Sequence, residues 1–178
     1  MPPRVKLFIA VLASPTIDKE YVSTLLSEVF GSTDYQGSSH SFDVTTYYDE
    51  EMGTGLSRYI LGFRGPHYAD ILVGAKLACV ELEKGSAVDG KRTINLDVGY
   101  LDHNKIVLAS TKEAGQKLYL DSGIYGDFVA RYGHGKYNPF EWSFPDFKDG
   151  RYDAEFATLR KIFLYVSTTL HSGGSTRK

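Results

Sequence analysis

The chain is poor in cysteine: Cys79 is the only one among 178 residues. A lone thiol can neither close an internal disulfide nor build a cysteine zinc site. Long hydrophobic runs are missing as well. The longest apolar stretch near the N-terminus, Leu7 to Ala13, is far too short to span a bilayer, and no basic leader precedes it. An excess of charge of either sign is also absent. Lys and Arg number 20 against 22 Asp and Glu, a net −2, so nothing global draws the chain to nucleic acid or an anionic membrane. These absences leave a soluble, cytoplasmic protein with no membrane partner.

Several catalytic signatures are lacking too. Gly53-Thr54-Gly55 is too short for a phosphate-cradling loop and runs into a strand pattern. There is no Gly-x-Ser-x-Gly elbow. His40, His67, His103, His134 and His171 show no metal-ligand spacing and read as surface residues of loops or tail. Cys79 falls on the apolar face of a helical pattern, where a thiol is a small inert core residue.

What is plentiful is aromatic and flexible: 13 Tyr, 10 Phe and 18 Gly. That balance favours sheet and tight turns over a helical bundle. The length suits a single α+β domain over residues 1–170, with His171 to Lys178 as a disordered polar tail. Val5 to Ala13 is a continuous apolar run, as expected of a central strand buried on both faces. Ile17 to Phe30 has helical spacing, with Ser14 or Thr16 as a cap and Gly31 as the stop. Strands follow at Phe42 to Tyr47 and Leu56 to Phe63, separated by a turn or short helix at Asp49 to Gly55. A helix over Ile71 to Leu82 and a strand over Thr93 to Val98 complete a β-α-β-β-α-β order. That order predicts a ferredoxin-like core.

The C-terminal half reads as an extension of this core. Lys105 to Ser110 fits a strand or a short helix. Lys117 to Leu120, Ile124 to Tyr132 and Lys136 to Phe140 form a meander with turns at Asp121-Ser122-Gly123 and Gly133-His134-Gly135. Phe156 to Leu170 is a terminal amphipathic helix.

Five segments in order carry a resemblance: Phe42-Asp43 through Tyr47 to Gly53, Asn95 to Leu101, Ala109 to Glu113, Gly123-Ile124-Tyr125, and Trp142 to Phe147. From Lys6 to about Leu164 the chain resembles the bacterial family called domain of unknown function 4416. The resemblance implies no catalytic assignment. Val98 stands where that family usually has a proline, and Gln116 stands where a histidine is expected, which argues against a histidine-based mechanism here.

Candidate functional residues are acidic first. Asp43, Asp49, Glu50, Glu51 and Asp97 fall at predicted strand ends or turns. Converging carboxylates would suit Mg²⁺ or an acid–base pair; the alternative is a solvated turn. Asn95 and Asp97 share one face of a strand and Leu96 takes the other, while Gly99 suits a turn aiming Asp97 into a cleft. Ser110-Thr111-Lys112 could grip an anion. Trp142 to Phe147 reads as a plug of the sheet end or a pocket wall with Asp146 at its rim. The expected catalytic set is Asp43, Glu51, Asp97 and Lys112, with Tyr48, Asn95, Tyr100, Thr111, Arg131, Trp142 and Asp146 binding the ligand. The function expected is small polar-ligand binding, or carboxylate-assisted hydrolysis or transfer with Mg²⁺. A protein-interaction module is the alternative, and an RNA-binding module a weaker one, since the Lys/Arg-Gly-Phe-Gly-Phe run of such modules is absent.

Overall fold

The first strand, β1 (Arg4–Ala13), is buried along its length apart from Arg4, in a computed structural model that describes residues 1–172. Its odd-numbered residues, Val5 to Ala13, pack into one core, and Phe8 and Ala10 pack into another on the opposite face. A strand that must satisfy two apolar layers cannot alternate with polar residues, which explains the unbroken run.

The elements that follow are α1 (Lys19–Phe30), β2 (Thr33–Gln36), β3 (His40–Ser41), α2 (Asp49–Met52), β4 (Ser57–Phe63), β5 (His67–Tyr68), α3 (Ile71–Gly85) and β6 (Ile94–Leu101). Then come β7 (Lys105–Ser110), β8 (Leu118–Asp121), β9 (Ile124–Gly133), β10 (Lys136–Pro139), α4 (Pro145–Lys148) and α5 (Asp153–Ser172). The sheet runs β10-β9-β7-β6-β1-β4-β2, with β3 on β4, β5 on β1 and β8 on β9. Every pairing among the described residues is antiparallel. Mixed helix and antiparallel sheet make the fold α+β, and ten strands exceed a simple four-stranded core.

Helices cover both faces. Val22, Leu26 and Phe30 of α1 join Leu72, Ala75 and Cys79 of α3 over Tyr59, Leu61, Leu96 and Val98. Phe147 of α4 and Phe156, Leu159 and Phe163 of α5 cover Phe8, Ile60, Ile106 and Val129 on the other side. The hairpins turn through left-handed residues, Ser122-Gly123 and His134-Gly135, the conformation that two-residue loops need to match strand twist. Among the described residues no helix is long and apolar enough to cross a membrane.

Several expectations are corrected. Phe42 to Tyr47 is not a strand: the chain leaves the sheet after Ser41, held by Arg151, whose guanidinium donates to the Ser41 carbonyl (2.7 Å) and to Asp43 (3.3 Å). Asp18 caps α1, not Ser14 or Thr16. Ser14 instead donates to the Met52 carbonyl (2.8 Å), tying the end of β1 to α2. Lys105 to Ser110 is a strand. Gly99 lies within β6, not in a turn. His40 and His67 sit in short strands rather than loops. Of the expected tail, His171 and Ser172 belong to α5, and residues 173–178 lie outside the described residues.

Candidate functional site

β6 and β7 pair only at one end. Gly99, Tyr100 and Leu101 face Leu108, Val107 and Ile106, and there the ladder stops. Beyond it β7 stays with β9, while Ile94 to Val98 stay with β1 alone. The sheet therefore splits, and Gly99 sits at the fork. A Cβ on Gly99 would lie 2.6 Å from both the Val107 carbonyl and Leu108 Cδ2, so only glycine lets the strands meet there.

The split leaves backbone groups of β6 without a strand partner. At Leu96, α3 supplies them: Glu83 accepts from the Leu96 N–H (2.6 Å) and Lys76 donates to its carbonyl (2.7 Å). Buried edge groups must be satisfied, which is why two charged side chains occupy the buried face of this helix.

A cavity of about 580 Å³ fills the split. Lys76, Val80 and Glu83 of α3 form one wall, and Leu108, Ala109 and Asp127 form another. Phe42, Val44 and Tyr48 from the segment that leaves the sheet cover it, with Phe144 and Pro145 beside them. Tyr47, Arg92, Thr111, Lys112 and Lys117 complete the lining. The volume is in the range of small-molecule sites.

Its charged centre is Arg58. This side chain is 1 % exposed, donates to Asp97 (2.8 Å) and Asp146 (3.0 Å), and lies 4.7 Å from the Phe42 ring centroid. Burial opposes its charge, but the two carboxylates more than offset burial and hold the guanidinium ionised. Asp97 also accepts from the Asn95 amide (3.1 Å), and Asp146 accepts from the Tyr152 hydroxyl (2.9 Å). Arg92 is gripped by both oxygens of Glu51 (2.7 Å each) and donates to Asn95 (2.8 Å).

Burial pushes the carboxyls of Asp127 and Glu83 up from their ordinary values, against the pull of Lys117 and of Lys76. Burial likewise pushes the Tyr48 phenol up to about 12, with Asp97 adding to the effect. Three buried polar atoms of the lining have no hydrogen-bond partner among the described residues: Arg58 Nε, Asp127 Oδ1 and Asp146 Oδ1. Among the described residues no group of three or more His, Cys, Asp or Glu side chains could hold a metal ion; the carboxylates are each held by a cation instead.

The family model for the domain of unknown function DUF4416 matches residues 3–163. The chain belongs to that family. No curated protein and no solved structure matches it. Four of the five segments by which this DUF4416 chain was legible contribute to the cavity: Phe42 to Tyr48, Asn95 and Asp97, Ala109 to Lys112, and Phe144 to Asp146. The fifth, Gly123-Ile124-Tyr125, forms the β8–β9 turn region.

Of the residues expected from sequence, Tyr48, Asn95, Asp97, Thr111, Lys112 and Asp146 line the cavity. Glu51 reaches it through Arg92. Four lie elsewhere. Asp43 is exposed and paired with Arg151. Tyr100 is buried in the core shared with α1 and α3, because its register on β6 points it with Leu96 and Val98 rather than with Asp97. Arg131 is exposed on β9, opposite Lys105 and Asn138. Trp142 stacks on Phe140 (4.6 Å) and donates to the Phe128 carbonyl (2.9 Å) outside the cavity. In the segment it begins, Phe144 and Pro145 form wall and Phe147 packs under α5, while Asp146, expected at the rim, is fully buried against Arg58 and Tyr152.

Sequence reasoning missed Arg58, Lys76, Glu83, Arg92, Lys117 and Asp127. Two had a readable signal. Lys76 and Glu83 share the helical stripe of Leu72, Ala75 and Cys79, where a charge has no bland reason to be.

Proposed function

We propose that the crevice between β6 and β7 binds a small polar molecule, and that the carboxyl groups around it supply acid–base chemistry for hydrolysis or group transfer. One observation carries the reading: a cavity of about 580 Å³ whose lining includes the buried Arg58–Asp97–Asp146 cluster and three buried polar atoms lacking partners. A buried ion cluster is no better for stability than packed hydrophobic residues, and each unpartnered group costs about 1–3 kcal/mol. A bound molecule that meets the cluster through Asp97, its one partly exposed member, would account for a charged centre that stability alone does not favour. Asp127, whose carboxyl burial drives toward the protonated form, is the candidate proton donor. With the acidic residues paired to cations, Mg²⁺ has no support from the donor set.

The test is thermal unfolding of the full chain against nucleotides, sugar phosphates and amino acids, beside Val80→Trp, which fills the crevice from α3. A compound that raises the melting temperature of the wild type and not of the variant supports the reading. Equal shifts in both proteins would place the binding elsewhere and end it.

For the core we propose a ferredoxin-like arrangement extended on one side. The order β6-β1-β4-β2 with antiparallel neighbours, and α1 and α3 on one face, supports it. The second functional reading, a protein-interaction module, has its own support: Leu118, Tyr119 and Leu120 on β8, with Phe128 and Trp142, are large apolar residues left exposed. Concentration-dependent self-association of the wild type, abolished by Tyr119→Lys, would favour it. The RNA-binding reading needs a sheet face open to bases, and helices cover both faces here.

A further inference from the structure

Five cationic side chains line the crevice, and four are within ion-pairing distance of a carboxylate. Arg58 has Asp97 and Asp146, Lys76 has Glu83 at 4.0 Å, Arg92 has Glu51 and Glu83, and Lys117 has Asp127 at 3.8 Å. Lys112 has none among the described residues. Its ammonium donates to the Tyr47 hydroxyl (2.7 Å) and lies 4.7 Å from the centroid of that ring. A neutral phenol is a poor counter-ion, and both groups are exposed at the mouth.

The backbone beneath this ammonium is fixed. Ser110 Oγ accepts from the Lys112 N–H (3.0 Å) and lies 3.1 Å from the Lys112 carbonyl, to which its hydroxyl donates. Lys117 donates to Ser110 Oγ (2.9 Å) and to the Lys112 carbonyl (3.3 Å). A pinned backbone carrying an ammonium with a weak, replaceable partner is arranged to receive a charge from outside. Lys112 shares the lining with the apolar and aromatic side chains of Tyr48, Val80, Ala109 and Phe144.

We propose that Lys112 recognises an acidic group, phosphate or carboxylate, on a ligand whose uncharged body lies in the crevice against Tyr48 and Phe144, and that this group displaces Tyr47. The inference rests on the crevice being a ligand site. It names the class of ligand: an acid with a flat or aliphatic body, held by its charge at the mouth.

The test uses three probes, phenyl phosphate, benzoate and benzyl alcohol, followed by amide chemical shifts of the full-length chain. The expected result is that one or both acids perturb residues of the crevice and benzyl alcohol binds more weakly. Lys112→Met should weaken the acids about tenfold, the loss of one charge-assisted hydrogen bond. Lys112→Arg and Tyr47→Phe should keep binding, and Lys161→Met, a surface lysine elsewhere, should change nothing. A preference for phenyl phosphate over benzoate, or the reverse, identifies the acid. Acids and alcohol binding the crevice equally, with Lys112→Met indistinguishable from wild type, would overturn the inference and leave the ligand site standing. If no probe perturbs the crevice, both the inference and the ligand site fall.

Discussion

Arg58 and Asp146 are 88 residues apart in sequence and 3.0 Å apart in space, and neither is accessible to solvent beyond 1 %. Each holds the other in a place where it could not stay alone. Asp97 closes the cluster at 2.8 Å. Arg58→Met strands two carboxylates, whereas Asp146→Asn keeps the shape and a hydrogen-bonding group. Arg58→Met is expected to lose about 3–5 kcal/mol of unfolding free energy and Asp146→Asn less. Denaturant titration of both variants decides it, and an Arg58→Met protein as stable as wild type would refute the structural half of the account.

Glycine at the fork and glycine on a helix face should respond oppositely to the same methyl group. Gly99→Ala drives a Cβ against the Val107 carbonyl, which is backbone and cannot swing away. It should cost about 1–3 kcal/mol and perturb the crevice. Gly74 is exposed within α3, and an added methyl group there would meet nothing within 4 Å. Gly74→Ala should add about 0.5–1 kcal/mol. Paired melting curves test the contrast.

Asp127 sets a pH dependence whose sign is fixed by burial. Its carboxyl is raised in the folded chain, mainly by desolvation. The native state therefore holds a proton that the unfolded chain releases above about pH 3.9. The stability from that proton is complete at low pH and is lost as pH rises through the folded value. Asp127→Asn keeps a neutral group at all pH values. Its urea midpoint should gain on the wild type as pH rises above about 3.9; a constant offset would contradict the burial account.

Cys79 has no exposed surface, and burial pushes its thiol up to about 12. A neutral enclosed thiol does not react. Alkylation of the native chain should proceed only at the rate of opening, and it should accelerate with denaturant in step with unfolding. Rapid labelling in the absence of denaturant would show that α3 is looser than its packing implies.

The legible parts of this fold were those in which neighbours in sequence decide the structure. β1 announced itself because burial on two faces demands an uninterrupted apolar run. The hairpins at Ser122-Gly123 and His134-Gly135 were visible because a left-handed pair favours a narrow set of residues. Phe42 to Tyr47 misled because its β-branched and aromatic residues have strand propensity, yet the chain leaves the sheet there and packs Phe42, Val44 and Tyr48 over the crevice. Tyr100 misled because one residue of register sends a side chain to the opposite face.

By itself, then, the sequence determined the β1 strand, the long helices with their buried apolar stripes, and that Asn95 and Asp97 would share a face, since these follow from periodicities of 3.6 and 2. Only the tertiary structure decided that β6 and β7 part at Gly99, and that Arg58, Asp97 and Asp146 meet beside the opening. Strand divergence and the pairing of distant charges depend on which surfaces pack together after collapse, and no local pattern encodes that.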